Sequence, residues 1–172
     1  NSADIKGTQL VFCDLSTPKK PYSEYVYGKD FDAYNDLKHK LVERGIPENE
    51  IAFIHDANTD KAKQDLFNAI NAGTVRVLIG STEKCGAGTN VQERLVAIHH
   101  LDAPYRPRDL IQRDGRGIRQ GNRNKIIRIY TYAEERTFDS YSYQILETKQ
   151  RFISQVEKGD MTVREADDID EA

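Results

Sequence analysis

Five short apolar runs, separated by segments with helical periodicity, constrain the fold of this 172-residue chain more than any other feature. The runs are QLVFC, EIAFIHD, VRVLIG, LVAIHHLD and IIRIYTY, and several are continuously apolar rather than alternating. Continuous apolar strands are typical of a parallel sheet that is buried on both faces. We therefore expect a three-layer α/β fold with a mostly parallel sheet flanked by helices, in which ligands bind beyond the carboxyl ends of the strands.

Three amphipathic segments are predicted to form the main helices around this sheet. In the first, one face carries Phe31, Tyr34, Leu37 and Leu41. The second is expected to begin at Asn58 or Thr59 and to end at Gly73, because these residues suit the two ends of a helix. The third has a single apolar stripe that consists of Phe138, Tyr141, Ile145, Phe152 and Val156.

Charge is distributed unevenly along the chain, whose formal net charge is -3. Residues 104–128 carry eight Lys and Arg residues against Asp109 and Asp114, whereas residues 159–172 carry six acids and one Arg. A basic concentration of this kind favours a polyanionic partner such as a phosphate, a nucleotide or nucleic acid. A solvated basic face is the alternative interpretation.

Several classes of protein do not fit the sequence. No apolar run approaches the length of about 20 residues that a membrane-spanning helix needs, so no membrane partner is expected. Cys13 and Cys85 lie outside any metal-ligand spacing, which predicts no metal site of this chain's own and suits a cytoplasmic location. We expect a linker or cloning remnant at residues 1–6, one domain over 7–158, and a flexible acidic tail over 159–172.

Polar and glycine residues follow the third apolar run, in GSTEKCGAGTNVQ at residues 80–92. Ser81 and Thr82 offer hydroxyl groups, while Gly86 and Gly88 allow backbone amides to approach a phosphate or a ribose. The chain contains no G-x-x-x-x-G-K-[ST] phosphate-binding motif. By itself the segment could equally be an ordinary connection between a strand and a helix.

Three arginines recur in QRDGRGIRQGN, after the fourth apolar run. A helix is expected to start near Pro107 and to carry Gln112, Arg116 and Arg119 on one face, at i, i+4 and i+7, while Arg113 points elsewhere. Guanidinium groups are always charged and suit phosphate oxygens, so this face is expected to stabilise charge on a phosphoryl group. Surface ion pairs with Asp or Glu are the alternative.

These segments together resemble the conserved motifs of superfamily-two helicases. QRDGRGIR is similar to their Q-x-x-G-R-x-x-R sixth motif, STEKCGAGTN to the fifth motif in its Swi/Snf-type form, and QLVFCD to the fourth. The motifs occur in the family's order, and the similarity extends over about residues 7–158. The sequence most resembles the helicase part of large DNA methylase–helicase proteins of phages and mobile elements.

The resemblance implies the second RecA-like lobe of a helicase, without its own Walker A motif. In this family ATP with Mg²⁺ is shared with an N-terminal RecA-like lobe, which is absent from this chain. The catalytic residues it implies are Arg119, as the arginine finger, and Arg116. The implied nucleotide-site residues are Gln112, Gly86, Gly88 and Asn90. The implied contacts to the DNA backbone are Ser16, Thr17, Ser81, Thr82 and Lys84.

The sequence thus predicts part of an ATP-dependent translocase on double-stranded DNA, inactive without the first lobe. The alternative is a scaffold lobe that binds DNA without hydrolysis and is attached to a methylase or a nuclease. Retention of the three sixth-motif side chains speaks against the scaffold, because holding DNA requires no arginine finger. A lobe of an RNA helicase is a third, weaker possibility, since the segment between motifs five and six resembles the class that acts on double-stranded DNA.

Overall fold

The computed structural model describes residues 6–29, 31–86 and 90–157. The predictions for residues 1–5, for Gly88 and for the acidic tail at 159–172 lie outside the described residues. The described part of the chain forms a single sheet with helices on both of its faces, as expected from the sequence.

Five strands form the sheet in the order β2-β3-β1-β4-β5, and all of their pairings are parallel. The strands are β1 (Thr8–Phe12), β2 (Ile51–Phe53), β3 (Val77–Gly80), β4 (Leu95–His100) and β5 (Arg128–Thr131). Each of the five apolar runs therefore corresponds to a strand, and four of the strands are shorter than their runs. Phe12 at the end of β1 is in register with Gly80 of β3 and His100 of β4. The segments that follow these three strands consequently leave the sheet side by side.

The helices are α1 (Ala33–Glu43), α2 (Asp60–Ala72), α3 (Thr82–Gly86), α4 (Pro107–Asp114) and α5 (Phe138–Glu157). Helix α2 has the predicted ends, since the Thr59 hydroxyl accepts a hydrogen bond from the Ala62 amide and Gly73 adopts a φ of 80°. Helix α1 begins later than its apolar pattern suggested. Asp32 caps it by accepting hydrogen bonds from the amides of Tyr34 and Asn35, so Phe31 lies before the helix and is exposed.

The two faces of the sheet support separate hydrophobic clusters, because successive side chains of a strand point to opposite faces. Leu10 and Phe12 of β1 pack with Phe67 and Ile70 of α2. Val11, on the opposite face of the same strand, belongs to the cluster that includes Tyr34 of α1 and residues of β2 and β3. This arrangement confirms the predicted helix–sheet–helix layers.

Helix α5 has the predicted apolar stripe but buries little of it. Leu146 is the buried residue of this helix, in the part that packs near α4, whereas Phe138, Phe152 and Val156 are exposed. The periodicity correctly indicated a helix, but the described residues leave most of its apolar face uncovered. None of the described helices is both long and apolar enough to cross a membrane.

A buried hydrogen bond ties α1 to the end of β1 and gives a test of this packing. The hydroxyl of Tyr34, which is fully buried, donates to the carbonyl oxygen of Cys13 at 2.7 Å. We expect Tyr34→Phe to lower the free energy of unfolding by about 1–2 kcal/mol, because a buried carbonyl loses its partner. Urea denaturation of the chain measures this difference. Tyr105→Phe, at a ring that is 82% exposed, is the matched control and should change stability by less than about 0.5 kcal/mol.

Candidate functional site

An open cavity of about 740 Å³ lies where the carboxyl ends of the strands meet helices α3 and α4. Its lining brings together residues that are far apart in sequence: Thr17 from the loop after β1, Ser81, Thr82 and Lys84 from the start of α3, and Gln112 from α4. Four of the five residues predicted to contact the DNA backbone therefore share one cavity. Ser16, the fifth, does not line it.

Thr82 and Ser81 differ in how far their hydroxyl groups are already used. The Thr82 hydroxyl donates to Asp14 Oδ2 at 2.7 Å and accepts from Arg113 Nε at 2.7 Å. Ser81 Oγ accepts one local hydrogen bond, from the Lys84 amide at 3.2 Å, and Lys84 itself is exposed. Ser81 and Lys84 thus retain donors that can reach a ligand, whereas Thr82 belongs to the wall that shapes the cavity.

Asp14 places a negative charge in the wall of this cavity. Burial by itself would raise the pKa of Asp14, but hydrogen bonds from the amide and hydroxyl of Thr82 and the charge of Arg113 outweigh it and lower the pKa. The carboxylate is therefore ionised at neutral pH and paired within the lobe. An incoming anion meets Asp14 as half of an ion pair rather than as an isolated charge.

Arg113 has a structural role that the sequence did not reveal. It points away from the exposed Gln112 and Arg119, as expected, but it is fully buried, because it lies on the side of α4 that faces the sheet. Its Nη2 donates to Asp14 Oδ2 at 2.7 Å and to Asp102 Oδ1 at 3.1 Å, and its Nη1 donates to the Asp102 carbonyl oxygen at 2.9 Å.

The sequence did contain a signal for this buried arginine. Asp14 follows the first apolar run and Asp102 ends the fourth, and those runs form the neighbouring strands β1 and β4. Two carboxylates at the same edge of a parallel sheet, one of them buried, need a cation between them. The basic segment that follows β4 was the nearest source of that cation.

Helix α4 ends earlier than expected, and this corrects the prediction that Gln112, Arg116 and Arg119 share one helical face. The helix stops at Asp114, and the amides of Arg116 and Gly117 bond to carbonyl oxygens three residues back, at 3.1 and 3.0 Å. The chain tightens there into a turn, because Gly117 packs directly on the sheet. A Cβ at Gly117 would lie 3.0 Å from Ile98 Cδ1 and 3.2 Å from Leu95 Cδ2.

The turn after α4 presents two arginines in different environments. Arg116 is only 7% exposed, and its Nε is buried without a hydrogen-bond partner in the described part of the chain. Burial and the nearby charge of Arg119 lower the pKa of Arg116. Arg119 itself is exposed. Two adjacent cations, one of them desolvated, form a site that a bound anion would stabilise.

The remaining predicted nucleotide-site residues lie on α4, at the end of α3 and shortly before β4. Gln112 is exposed and reaches the cavity from the last turn of α4. Gly86 ends α3. Asn90 is exposed, and its carbonyl oxygen accepts a hydrogen bond from Asn71 Nδ2 at 2.7 Å.

The fifth-motif and sixth-motif segments meet at two places. Arg113 Nε donates to the Thr82 hydroxyl beyond the end of β3, and the Gln92 side chain donates to the Gln120 carbonyl oxygen at 3.4 Å beside the start of β4.

The two buried arginines should respond oppositely to the same substitution. Arg113→Met leaves Asp14 and Asp102 without their cation, so we expect the free energy of unfolding to fall by about 3–5 kcal/mol. Arg116→Met removes a buried charge that pairs with no described carboxylate, so stability should stay the same or rise. Urea denaturation of the two variants checks the contrast, and equal losses would show that Arg116 is an ordinary structural arginine.

Comparison with known proteins supplies the family. Residues 10–121 match the model of the helicase conserved C-terminal domain. Over 94 residues the chain is 31% identical to a protein of Escherichia phage P1 named "Defense against restriction protein B". That alignment covers 55% of this chain but only 4% of the phage protein.

A solved structure shares the fold. The C-terminal part of the Fun30 ATPase domain superimposes with a TM-score of 0.60 at 17% identity, over 83% of this chain and 40% of that one. The described sheet and helices therefore have the RecA-like architecture. Because the family model matches more than half of its residues, the chain belongs to the helicase conserved C-terminal domain family and forms a RecA-like lobe.

Proposed function

We propose that this lobe supplies the arginine finger and part of the DNA track of an ATP-dependent translocase on double-stranded DNA, and that it is inactive without its first lobe. The observation that carries the proposal is the pair formed by buried Arg116 and exposed Arg119. Arg119 is assigned as the finger and Arg116 as its phosphate-binding neighbour.

The burial of Arg116 supports a nucleotide site at this position, because no hydrogen bond within the described residues compensates for the burial of its Nε. A buried donor without a partner costs about 1–3 kcal/mol, and more when it is charged. Arg116 Nε is such a donor. A phosphate oxygen would satisfy it and would at the same time offset the repulsion from Arg119. The residues present therefore fit a nucleotide phosphate.

Arg119 supports the same site from the exposed side of the turn. A finger has to reach a phosphate that is held mainly by another lobe, so its side chain must be accessible while its backbone is fixed. Gly117, packed on Ile98 and Leu95, fixes that backbone two residues earlier. ATP supplies the phosphoryl group, and the positive charge of Arg119 stabilises the negative charge that develops on it.

The first lobe is assigned the rest of the nucleotide site. No group of three His, Cys, Asp or Glu side chains in the described ranges is arranged to hold a metal ion. The full sequence contains no Walker A motif. We therefore assign the ligands of Mg²⁺ and the Walker lysine to the N-terminal lobe, and Gln112, Gly86 and Asn90 to this lobe's side of the cleft.

The cavity between α3 and α4 is proposed as the DNA track. Ser81, Lys84 and Thr17 offer hydroxyl and ammonium donors, which suit phosphate oxygens rather than base edges. Binding should therefore tolerate any sequence and weaken with salt. The relative in phage P1 is named for defence against restriction. We propose that the full-length protein to which this lobe belongs also acts on DNA inside the cell during restriction or defence against it. We further propose that it carries a DNA methylase domain.

ATP hydrolysis by the full-length protein tests the assignment of the finger. Double-stranded DNA should stimulate phosphate release, and Arg119→Ala should lower the stimulated rate by about 10³- to 10⁵-fold. Arg123→Ala is the matched control, because Arg123 is an exposed arginine of the same segment and pairs with Glu93 at 2.9 Å. Its rate should remain close to that of the wild type. The alternative, in which this lobe only binds DNA, would be favoured by either of two results. The folded full-length protein would show no ATP hydrolysis, or its rate would be unchanged by Arg119→Ala.

The isolated 172-residue chain gives a second test of the shared site. It should show no ATP hydrolysis above background, with or without DNA, because the residues assigned to the metal and to the Walker lysine lie in the other lobe. The measurement is phosphate release, at the protein concentrations used for the full-length protein. Steady ATP turnover by the purified chain would contradict a nucleotide site that is shared between two lobes.

A further inference from the structure

Arg113 joins the ends of three neighbouring strands. Asp14 follows β1, Asp102 follows β4 and Thr82 follows β3, and these strands are adjacent in the order β3-β1-β4. Three nitrogen atoms of the Arg113 guanidinium reach all three residues, at distances from 2.7 to 3.1 Å. Among the described residues, Arg113 is thus the side chain on which all three strand ends converge.

Through its side chain, Arg113 holds the wall of the cavity. Arg113 Nε donates to the Thr82 hydroxyl, and Thr82 and Asp14 are bonded to each other twice. Asp102 also accepts from the amides of Asp14 and Leu15, which begin the loop that leads to Thr17. A ligand that displaces either wall of the cavity therefore pulls on the guanidinium.

Through its backbone, Arg113 holds the turn that carries the other two arginines. Its carbonyl oxygen accepts from the Arg116 amide at 3.1 Å. The next residue, Asp114, is anchored to the sheet by His100 Nε2, which lies 2.8 Å from its Oδ1. A shift of the Arg113 side chain therefore alters the last turn of α4 and, with it, the start of the Arg116–Arg119 turn.

We propose that Arg113 is a positioning residue that couples occupation of the cavity to the placement of Arg116 and Arg119. The proposal rests on the function proposed above, in which the cavity takes the DNA backbone and the two arginines take the phosphates of ATP. Contact of DNA with the cavity wall would be transmitted through Thr82 and Asp14 to Arg113, and from its backbone to the turn. DNA binding would in this way raise the rate of hydrolysis.

Lysine is the discriminating substitution at this position. It keeps the positive charge beside Asp14 and Asp102, but one ammonium group cannot reproduce a fork that bonds in three directions. The ion pairs are thus weakened rather than removed, and the geometric link between the strand ends is lost. A merely structural ion pair would lower stability without changing the ratio of DNA-stimulated to DNA-free hydrolysis.

The experiment uses the full-length protein with and without saturating double-stranded DNA. For Arg113→Lys we expect the ratio of stimulated to DNA-free kcat to fall roughly 2- to 30-fold, the range of measured coupling effects, and the DNA concentration for half-maximal stimulation to rise. Asp102→Asn should act in the same direction, and the double variant should lose less than the product of the two single losses.

Arg76→Lys is the matched control. Arg76 also bonds a carboxylate, that of Glu50, but it precedes β3 and lies at the opposite end of the sheet from the cavity. Thermal denaturation of both lysine variants separates loss of stability from loss of coupling. The ratio for Arg76→Lys should stay within about twofold of the wild type, because a change in stability alone affects both rates equally.

The outcomes distinguish this inference from the function on which it rests. A wild-type protein that DNA does not stimulate overturns both. A stimulated wild type whose ratio is unchanged in Arg113→Lys, or falls equally in Arg76→Lys, overturns the inference and leaves the proposed function standing. A reduced ratio in Arg113→Lys and Asp102→Asn, with a normal ratio in Arg76→Lys, supports the coupling.

Discussion

The charge cluster formed by buried Arg113, buried Asp102 and the partly exposed Asp14 is the interaction on which the site depends. It contains one cation and two carboxylates, so the surplus negative charge must be stabilised by hydrogen bonds. The amides of Leu15 and Thr82 supply two of these, at 2.8 and 2.6 Å. The negative charge of the cluster also affects the neighbouring Cys13 thiol. Burial, and after it the charge of the Asp102 carboxylate, raise the pKa of this thiol to about 11.

This cluster explains why the cavity and the arginine turn form one unit rather than two neighbouring features. Parallel strands bring their carboxyl ends to one edge, but the sheet alone does not fix the loops that leave it. Arg113 fixes two of these loops and the start of α3, while Gly117 fixes the following turn by packing on the sheet. Arg116 is thereby held in a buried position, although its Nε has no hydrogen-bond partner among the described residues.

The layers of the fold could be read from the sequence because they follow from local periodicity. The five apolar runs predicted all five strands, and Thr59 with Gly73 predicted the ends of α2. The end of α4 could not be predicted in this way. It is set by the contact of Gly117 with side chains of β4 and with Ile127, which are distant from the pattern of the helix itself.

The site was predictable to the extent that its residues follow strands. The sequence assigned Ser81 and Lys84 to the DNA backbone and Gln112 to the nucleotide. The structure brings all three to one cavity, because strand ends converge in a parallel sheet. Arg113 was missed because its role depends on Asp14 and Asp102, residues 99 and 11 positions away, and on which side of α4 faces the sheet. The apolar stripe of α5 shows a second limit of prediction from sequence. Periodicity identifies an apolar face of a helix, but it does not show whether another part of the protein covers that face.

The strand order has a consequence for how the lobe is made during protein synthesis. β1 is translated first, yet it lies at the centre of the sheet and pairs with β3 and β4, which are translated some 65 to 90 residues later. Asp14 then waits a further stretch for its arginine, 99 positions along the chain. At typical elongation rates of about 5–20 residues per second, the central strand stays unpaired for several seconds. If the ribosome stalls between Asp102 and Arg113, the nascent chain contains the carboxylates of Asp14 and Asp102 but lacks the guanidinium that pairs with both of them.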